Sequence, residues 1–137
     1  MRSFCVLILS FLLSSGAYAA CNKASLKGLF AGTGAFSTSS VAAGVFYFNG
    51  KGKITVRSLY ESIQGSTYRL TGSGTYTVNK NCSGTIRFVG RYQGMDVVSA
   101  VVYFGLGGTK NLPEILGVYE NASDGVSGAF RLVRSRQ

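Results

Sequence analysis

Turn residues divide this chain into short segments, and their spacing constrains the fold more than any other feature of the sequence. The 137 residues include 19 glycines and one proline, and most of the glycines separate stretches rich in Val, Tyr, Phe and Thr. No stretch combines apolar residues at three-to-four spacing with helix caps. A stretch and its turn together take about fifteen residues, which predicts an all-β, antiparallel, up-and-down fold.

Eight strands are predicted from these breaks. Their ranges are 26–36, 40–48, 53–63, 67–78, 84–92, 96–104, 113–120 and 125–134. The strongest hairpin signal is Asn49-Gly50-Lys51-Gly52, because Asn-Gly accepts the positive φ angles of a primed turn. Gln64-Gly65-Ser66 is predicted as a three-residue loop, and residues 105–112 as the one longer connection.

Alternation in the middle of the chain assigns the two faces of the sheet. The three-residue loop places Glu61 opposite Arg69 on the polar face, which predicts a cross-strand salt bridge. The apolar face must be enclosed, either in a single eight-stranded barrel or between the two sheets of a β-sandwich. Inward glycines at positions 72, 74 and 90 favour the barrel, since glycine permits the sharp bends that closure needs.

Two predicted strands, 41–48 and 97–104, are apolar on both faces. Such strands need cover on the outside of the sheet as well as the inside. One possibility is that the longer connection or the N-terminal segment of the same chain covers them. The other is an interface with a ligand or with a second copy of the chain in a homodimer.

The N-terminus has the features of a secretory signal peptide. Arg2 precedes a short apolar run, and Ala17-Tyr18-Ala19 supplies an A-x-A cleavage pattern. We therefore predict cleavage after Ala19 and a single secreted or periplasmic domain over residues 20–137. The apolar run of about ten residues is too short to span a bilayer, and no later run approaches that length, so no transmembrane segment is expected after signal removal.

Cysteine usage fits this compartment. Cys5 leaves with the signal peptide, and Cys21 and Cys82 remain, which predicts one disulfide in an oxidising environment. The alternative is lipidation of Cys21, since Ala19-Ala20-Cys21 partly resembles a lipoprotein cleavage box. Tyr18 occupies the position that is usually aliphatic in such boxes, and lipidation would leave Cys82 unpaired, so the disulfide is favoured.

The chain contains no histidine. This removes Ser-His and Cys-His nucleophile pairs, most zinc sites and the usual general base near neutral pH. We therefore predict no metal and no cofactor, and the residue set argues against an enzyme. Glu114 and Glu120, at even spacing on one strand face, are the carboxylate pair that a hydrolase would have to use. The glycines of 105–110 do not match a phosphate-loop pattern, and no specific nucleic-acid motif is present.

Two classes of function remain. The first is a binding module that holds a small apolar ligand inside the barrel, unless the same aromatic side chains simply fill the core. The candidate lining residues are Tyr60, Tyr76, Phe88, Tyr92 and Phe130. The second is a surface-interaction protein that uses its net charge of +9 to bind anionic lipid, polysaccharide or another protein, unless the basic face is only solvated. The candidate contacts are Arg57, Arg69, Arg87 and Arg91.

Several short motifs also carry a resemblance. They are Cys21 followed by Ala24-Ser25-Leu26-Lys27-Gly28, then Phe48-Asn49-Gly50-Lys51-Gly52-Lys53-Ile54, and then Gly74-Thr75-Tyr76-Thr77-Val78 leading to Cys82-Ser83-Gly84-Thr85. Together they resemble a group of small secreted bacterial proteins of unknown function, similar to barrels of the allene oxide cyclase and lipocalin type. The resemblance implies the barrel and the cysteine pair. It implies no activity, and no residue matches the active site of the plant cyclases.

Overall fold

The computed structural model describes residues 20–37, 40–109, 112–121 and 127–135, so the predicted signal peptide lies outside the described residues. The described part contains a short 3-10 helix and eight strands. In chain order they are the 3-10 helix (Lys23–Ser25), β1 (Lys27–Ser37), β2 (Ser40–Asn49), β3 (Lys53–Ile63), β4 (Ser66–Val78), β5 (Ser83–Tyr92), β6 (Met95–Thr109), β7 (Leu112–Asn121) and β8 (Ser127–Arg134).

The eight strands form one closed antiparallel barrel in which each strand pairs with its sequence neighbour. Closure comes from pairing between β1 and β8, which runs from Phe30 opposite Arg134 to Ala35 opposite Ala129. This confirms the predicted up-and-down barrel, and the β-sandwich alternative is wrong. No helix in the described part of the chain is long and apolar enough to cross a membrane.

The turn between β3 and β4 is shorter than predicted. Ile63 pairs with Ser66, so the turn contains only Gln64 and Gly65. Their φ angles of +50° and +84° are those of a primed two-residue turn, which suits the twist of a hairpin. Glu61 consequently lies opposite Tyr68 rather than Arg69, and the predicted salt bridge between Glu61 and Arg69 is wrong.

A β-bulge in β3 changes which of its residues face the interior. Val56 pairs with Gly72, but the next pair is Leu59 with Leu70, so two residues of β3 oppose one of β4. The extra residue shifts the alternation by one position. Val56 remains inward, the inward positions then become 59 and 61, and Tyr60 is 48% exposed. The prediction that Tyr60 faces the interior is therefore wrong.

The predicted long connection is also wrong, because residues 105–109 belong to β6. The β6–β7 ladder continues to Thr109 opposite Leu112. Residues 105–109 therefore do not form a loop that could cover the doubly apolar strands, and Val41 on β2 and Tyr103 on β6 are 57% and 51% exposed. An interface with a second copy at these outer faces stays a prediction.

One end of the barrel is packed solid by the segment that precedes β1. Leu26 is fully buried there, next to the rings of Phe30, Phe48 and Tyr76. The ring centroids of Phe30 and Phe48 lie 5.1 Å apart, and those of Phe48 and Tyr76 lie 5.2 Å apart, both edge to face. We call this end, where the β2–β3 turn also lies, the closed end.

The predicted cysteine pair lies at the closed end. The structure brings Cys21 and Cys82 to disulfide distance, with their Cα atoms 5.0 Å apart. The pair ties the segment before the 3-10 helix to the loop between β4 and β5, which places the same segment over the packed core.

Candidate functional site

A cavity of about 90 Å³ lies inside the barrel, next to the packed core of the closed end. Its innermost wall residues include Ile54 on β3, Ile86 on β5 and Leu132 on β8, all buried members of the core cluster. From there the lining extends along β3 to Glu61, near the Gln64-Gly65 turn. Up-and-down connectivity puts this turn at the opposite end from the β2–β3 turn, and we call it the open end.

The cavity wall is almost entirely apolar. Its lining residues are Gly32, Thr33, Gly34, Ala42, Gly44, Phe46, Ile54, Leu59, Glu61, Leu70, Ile86, Phe88, Val98, Val102, Tyr119, Phe130 and Leu132. Glu61 is the only charged residue among them. An apolar cavity with few polar groups is the usual character of a site for a small organic ligand.

Two of the five predicted lining residues, Phe88 and Phe130, lie on this wall. Each ring packs against a glycine on a neighbouring strand. A Cβ atom at Gly72 would lie 2.7 Å from the ring of Phe88, and one at Gly117 would lie 2.6 Å from the ring of Phe130. These glycines therefore make room for aromatic side chains.

The three predicted tyrosines lie elsewhere. Tyr76 is 2% exposed and belongs to the closed end, where its hydroxyl donates to the carbonyl oxygens of Lys23 and Leu26 at 3.0 and 2.9 Å. Tyr92 is half-buried and makes an edge-to-face contact with Tyr68, with ring centroids 5.5 Å apart. Tyr60, on the outer face because of the bulge, lines an open groove outside the barrel.

Glu61 is the functional candidate that the sequence reasoning missed. Its Oε1 atom accepts a 2.8 Å hydrogen bond from the hydroxyl of Ser40, a buried residue at 7% exposure. Ala42, the cross-strand partner of Glu61 on β2, lies on the cavity wall beside it. A carboxylate and a hydroxyl thus meet at the edge of an otherwise apolar space.

One signal in the sequence could have identified Glu61. The apolar residues Ile54 and Val56 are two apart, but the next aliphatic residue, Leu59, follows after three. A change from even to odd spacing inside a strand is what a β-bulge produces. With the bulge placed there, alternation puts both 59 and 61 inside.

The open groove that contains Tyr60 is lined by residues of β1, β2, β3, β4 and β8. Its walls include Val41 and Ala43 on β2, Tyr60 on β3, and Ala129 and Arg131 on β8. The groove and the interior cavity share four lining residues, which are Thr33, Gly34, Ala42 and Phe130.

The predicted contacts with an anionic surface are four exposed arginines: Arg57, Arg69, Arg87 and Arg91. They do not form one uniform patch. Arg57 stacks over the ring of Tyr47 at 5.4 Å, and Arg91 forms a 2.6 Å ion pair with Asp96. Arg87 and Arg91 are four residues apart on β5, or about 13 Å. Asp96, rather than the inward Glu61, reduces the positive charge of this face.

The remaining carboxylates do not assemble a catalytic pair in the described residues. Glu114 forms an ion pair with Arg131 of β8, and Glu120 is exposed on β7. No group of three or more metal-ligating side chains occurs in the part of the chain that the structure describes.

A similar barrel is found among solved structures. EF1p2_mFAP2b, solved bound to DFHBI, superposes with a TM-score of 0.56 at 14% sequence identity, over 82% of this chain and 94% of that chain. At this identity the likeness concerns the fold alone. No protein-family model matches the chain, and no curated protein matches it.

Proposed function

We propose that this protein is a non-enzymatic binding module that holds a small, mainly apolar ligand in the cavity at the open end of its barrel. The observation that carries the proposal is the cavity itself, which lies between buried aliphatic side chains and the rings of Phe88 and Phe130. Burial of apolar ligand surface there supplies about 25 cal/mol for each Å² removed from water. The similar barrel of EF1p2_mFAP2b, which binds DFHBI, is compatible with this role.

The dimensions of the cavity favour a slender ligand. Its volume of about 90 Å³ is below the roughly 150 Å³ of a buried cavity that accommodates benzene, so it can enclose only part of an eight-carbon ligand and the rest must extend through the open end. Its lining nevertheless reaches from Ile54 to Glu61, a distance along β3 of roughly 20 Å at about 3.3 Å per residue. A small volume distributed over that length describes a narrow space, which suits an alkyl chain better than a fused ring system.

The test is the binding of 1-octanol, measured by isothermal titration calorimetry with two matched variants. Ala42→Leu adds three carbons at a position that lines both the cavity and the groove, and Ala43→Leu adds the same atoms at a position that lines the groove alone. We expect wild type and Ala43→Leu to bind alike and Ala42→Leu to bind at least tenfold more weakly.

Two other results would contradict the proposal. Loss of binding in Ala43→Leu alone would place the ligand in the outer groove. If neither 1-octanol nor a charged ligand with the same eight-carbon chain bound to the wild type, the interior site would be excluded. Thermal unfolding of both variants controls for folding. Val98→Phe, on another part of the cavity wall, replaces Ala42→Leu if that variant fails to fold.

We also propose that the protein acts outside the cytoplasm, after cleavage following Ala19. The pairing of Cys21 with Cys82 supports an oxidising compartment. Mass spectrometry of the exported protein tests this directly. A chain that begins at Ala20 and weighs two hydrogens less than its reduced form is expected, whereas a diacylglyceryl adduct on Cys21 would contradict it.

The second candidate function is binding to an anionic surface through the basic outer face. The exposure of Arg57, Arg69, Arg87 and Arg91 favours it. The partner would be anionic lipid, polysaccharide or an acidic protein, and its recognition would depend on salt.

A further inference from the structure

We infer that the ligand of the interior cavity carries a cationic head group, a protonated amine, and that Glu61 is its counter-ion. This inference rests on the proposed function. It gives the ligand a polarity, with an apolar chain inside the barrel and an ammonium group at the open end.

The first support is that Glu61 lacks a cationic partner in the described residues. The ion pairs there are Arg91 with Asp96 and Arg131 with Glu114. Yet the chain has 14 lysines and arginines against five acidic residues, so cations are abundant. A carboxylate that has no cationic partner among the described residues, and that lines an apolar cavity, is available to a cation from outside.

The second support is that the hydrogen bonds made by the described residues leave most acceptor positions of the Glu61 carboxylate unfilled. An ionised carboxylate has about four such positions, and within the described part of the chain the Ser40 hydroxyl fills one of them, on Oε1. A neutral apolar ligand would displace water from the remaining positions and leave a desolvated charge without compensation. A ligand ammonium group replaces that water with a charge-assisted hydrogen bond.

The third support is the position of Glu61 relative to the aromatic residues. Glu61 lies two residues before the end of β3, whereas Ile54 lies near the start of that strand. Tyr68 is its cross-strand partner, and Tyr68 contacts Tyr92 edge to face. Aromatic rings near a carboxylate are a common environment for an amine, since their faces attract cations.

The net positive charge of the protein acts against the binding of a cationic ligand. A chain with a formal charge of +9 attracts anions at long range. A preference for a cationic ligand over an anionic one would therefore oppose the overall field and must arise locally.

The experiment compares three ligands with the same eight-carbon chain: octylamine, 1-octanol and octanoate. Affinities are measured by calorimetry for wild type, Glu61→Gln and Glu120→Gln. Glu120 is an exposed carboxylate on β7, so its variant makes the same change in net charge away from the cavity. For the wild type we expect octylamine to bind at least about tenfold more tightly than 1-octanol, and octanoate to bind most weakly.

The variants separate the local effect from the global one. Glu61→Gln retains an acceptor for Ser40 and should bind octylamine no better than 1-octanol, with its 1-octanol affinity unchanged. Glu120→Gln should resemble the wild type. Because the wild-type ligand series already tests the inference, a folding defect in Glu61→Gln would not remove the test.

Each other outcome has a clear consequence. If 1-octanol binds as tightly as octylamine to the wild type, the inference is overturned and the proposed function stands. The same holds if Glu61→Gln keeps the preference for octylamine. If none of the three ligands binds, the proposed function fails. Tightest binding by octanoate, weakened by salt, would overturn the inference and point to the basic face.

Discussion

The phenolic hydroxyl of Tyr76 donates a 2.9 Å hydrogen bond to the carbonyl oxygen of Leu26, 50 residues earlier in the chain. This contact joins the C-terminal end of β4 to the segment that fills the closed end. Leu26 precedes β1, so its carbonyl oxygen lies outside the strand pairing. A side chain from the core supplies the hydrogen-bond donor instead. Tyr76 is thus a fixed part of the core rather than part of the cavity wall.

Replacing Tyr76 with phenylalanine should therefore destabilise the fold without altering ligand binding. The change leaves the carbonyl oxygens of Lys23 and Leu26 without their side-chain donor, at an expected cost of about 1–2 kcal/mol. The melting temperature should fall by several degrees. Tyr103→Phe, at an exposed tyrosine, is the matched control and should change stability by less than about 0.5 kcal/mol.

The same residue predicts how stability depends on pH. Burial raises the pKa of the Tyr76 phenol above its ordinary value. Above about pH 10 the unfolded chain releases this proton while the folded chain still holds it, so unfolding becomes more favourable. The contribution is fully present below about pH 10 and is lost as pH rises through the folded-state pKa. Between pH 8 and 11 the melting temperature of the wild type should fall more steeply with pH than that of Tyr76→Phe. An equal pH dependence of the two melting temperatures would contradict this.

The fold could be predicted from the sequence because turn chemistry and alternation are local. Asn49 illustrates this: its side-chain oxygen accepts hydrogen bonds from the backbone N–H groups of Lys51 and Lys53, which closes the turn that Asn-Gly predicts. Such contacts depend on only a few neighbouring residues. The order of the strands then follows from short connections between neighbours.

The candidate site could be predicted only in part because register depends on contacts across strands. Phe88 and Phe130 follow simple alternation and lie on the cavity wall. Tyr60 and Glu61 exchange faces because Arg57 is an extra residue in β3, opposed by no partner on either side. A single inserted residue inverts every later position of its strand. Tyr76 faces inward as predicted, but the sequence does not show that the N-terminal segment fills its end of the barrel.

The disulfide should contribute strongly to stability. Cys21 and Cys82 are 61 positions apart, and closing a loop of that length stabilises a fold by about 4 kcal/mol on the chain-entropy account. Replacing both cysteines with serine should lower the melting temperature by more than about 10 °C. Reduction of the wild type should reproduce the shift, and equal melting temperatures with and without reductant would show that the pair carries no such constraint.

Gly84 should tolerate substitution poorly, because its surroundings leave no room for a side chain. A Cβ atom there would overlap the carbonyl oxygen of Thr77 and the ring of Phe104, both held by the β4–β5 and β5–β6 pairing. Gly84→Ala should therefore destabilise by about 1–3 kcal/mol, as overpacking of a core does. Gly105→Ala is the control, since a Cβ at Gly105 meets nothing within 4 Å. Chemical denaturation of the two variants measures the difference, and similar losses in both would contradict the packing.

The last prediction concerns the basic face. If Arg87 and Arg91 contact an anionic surface, replacing both with serine should weaken binding to vesicles that contain anionic lipid. Each arginine near such a surface contributes about 1 kcal/mol, so the double change should cost up to about thirtyfold in affinity. The loss of affinity should be smaller than this maximum, because Asp96 already neutralises part of the charge of Arg91. Lys27→Ser with Lys51→Ser removes the same charge from exposed positions at the closed end and should weaken binding much less.

Wild-type binding should also decline steeply between low and physiological salt, since exposed charges are screened within about 8–10 Å. Both double variants should unfold within about 1 kcal/mol of the wild type, because exposed substitutions rarely cost more. A specific contact through β5 would be excluded if vesicle binding did not change with salt concentration, or if both double variants weakened it equally. The interior cavity would then remain as the functional site.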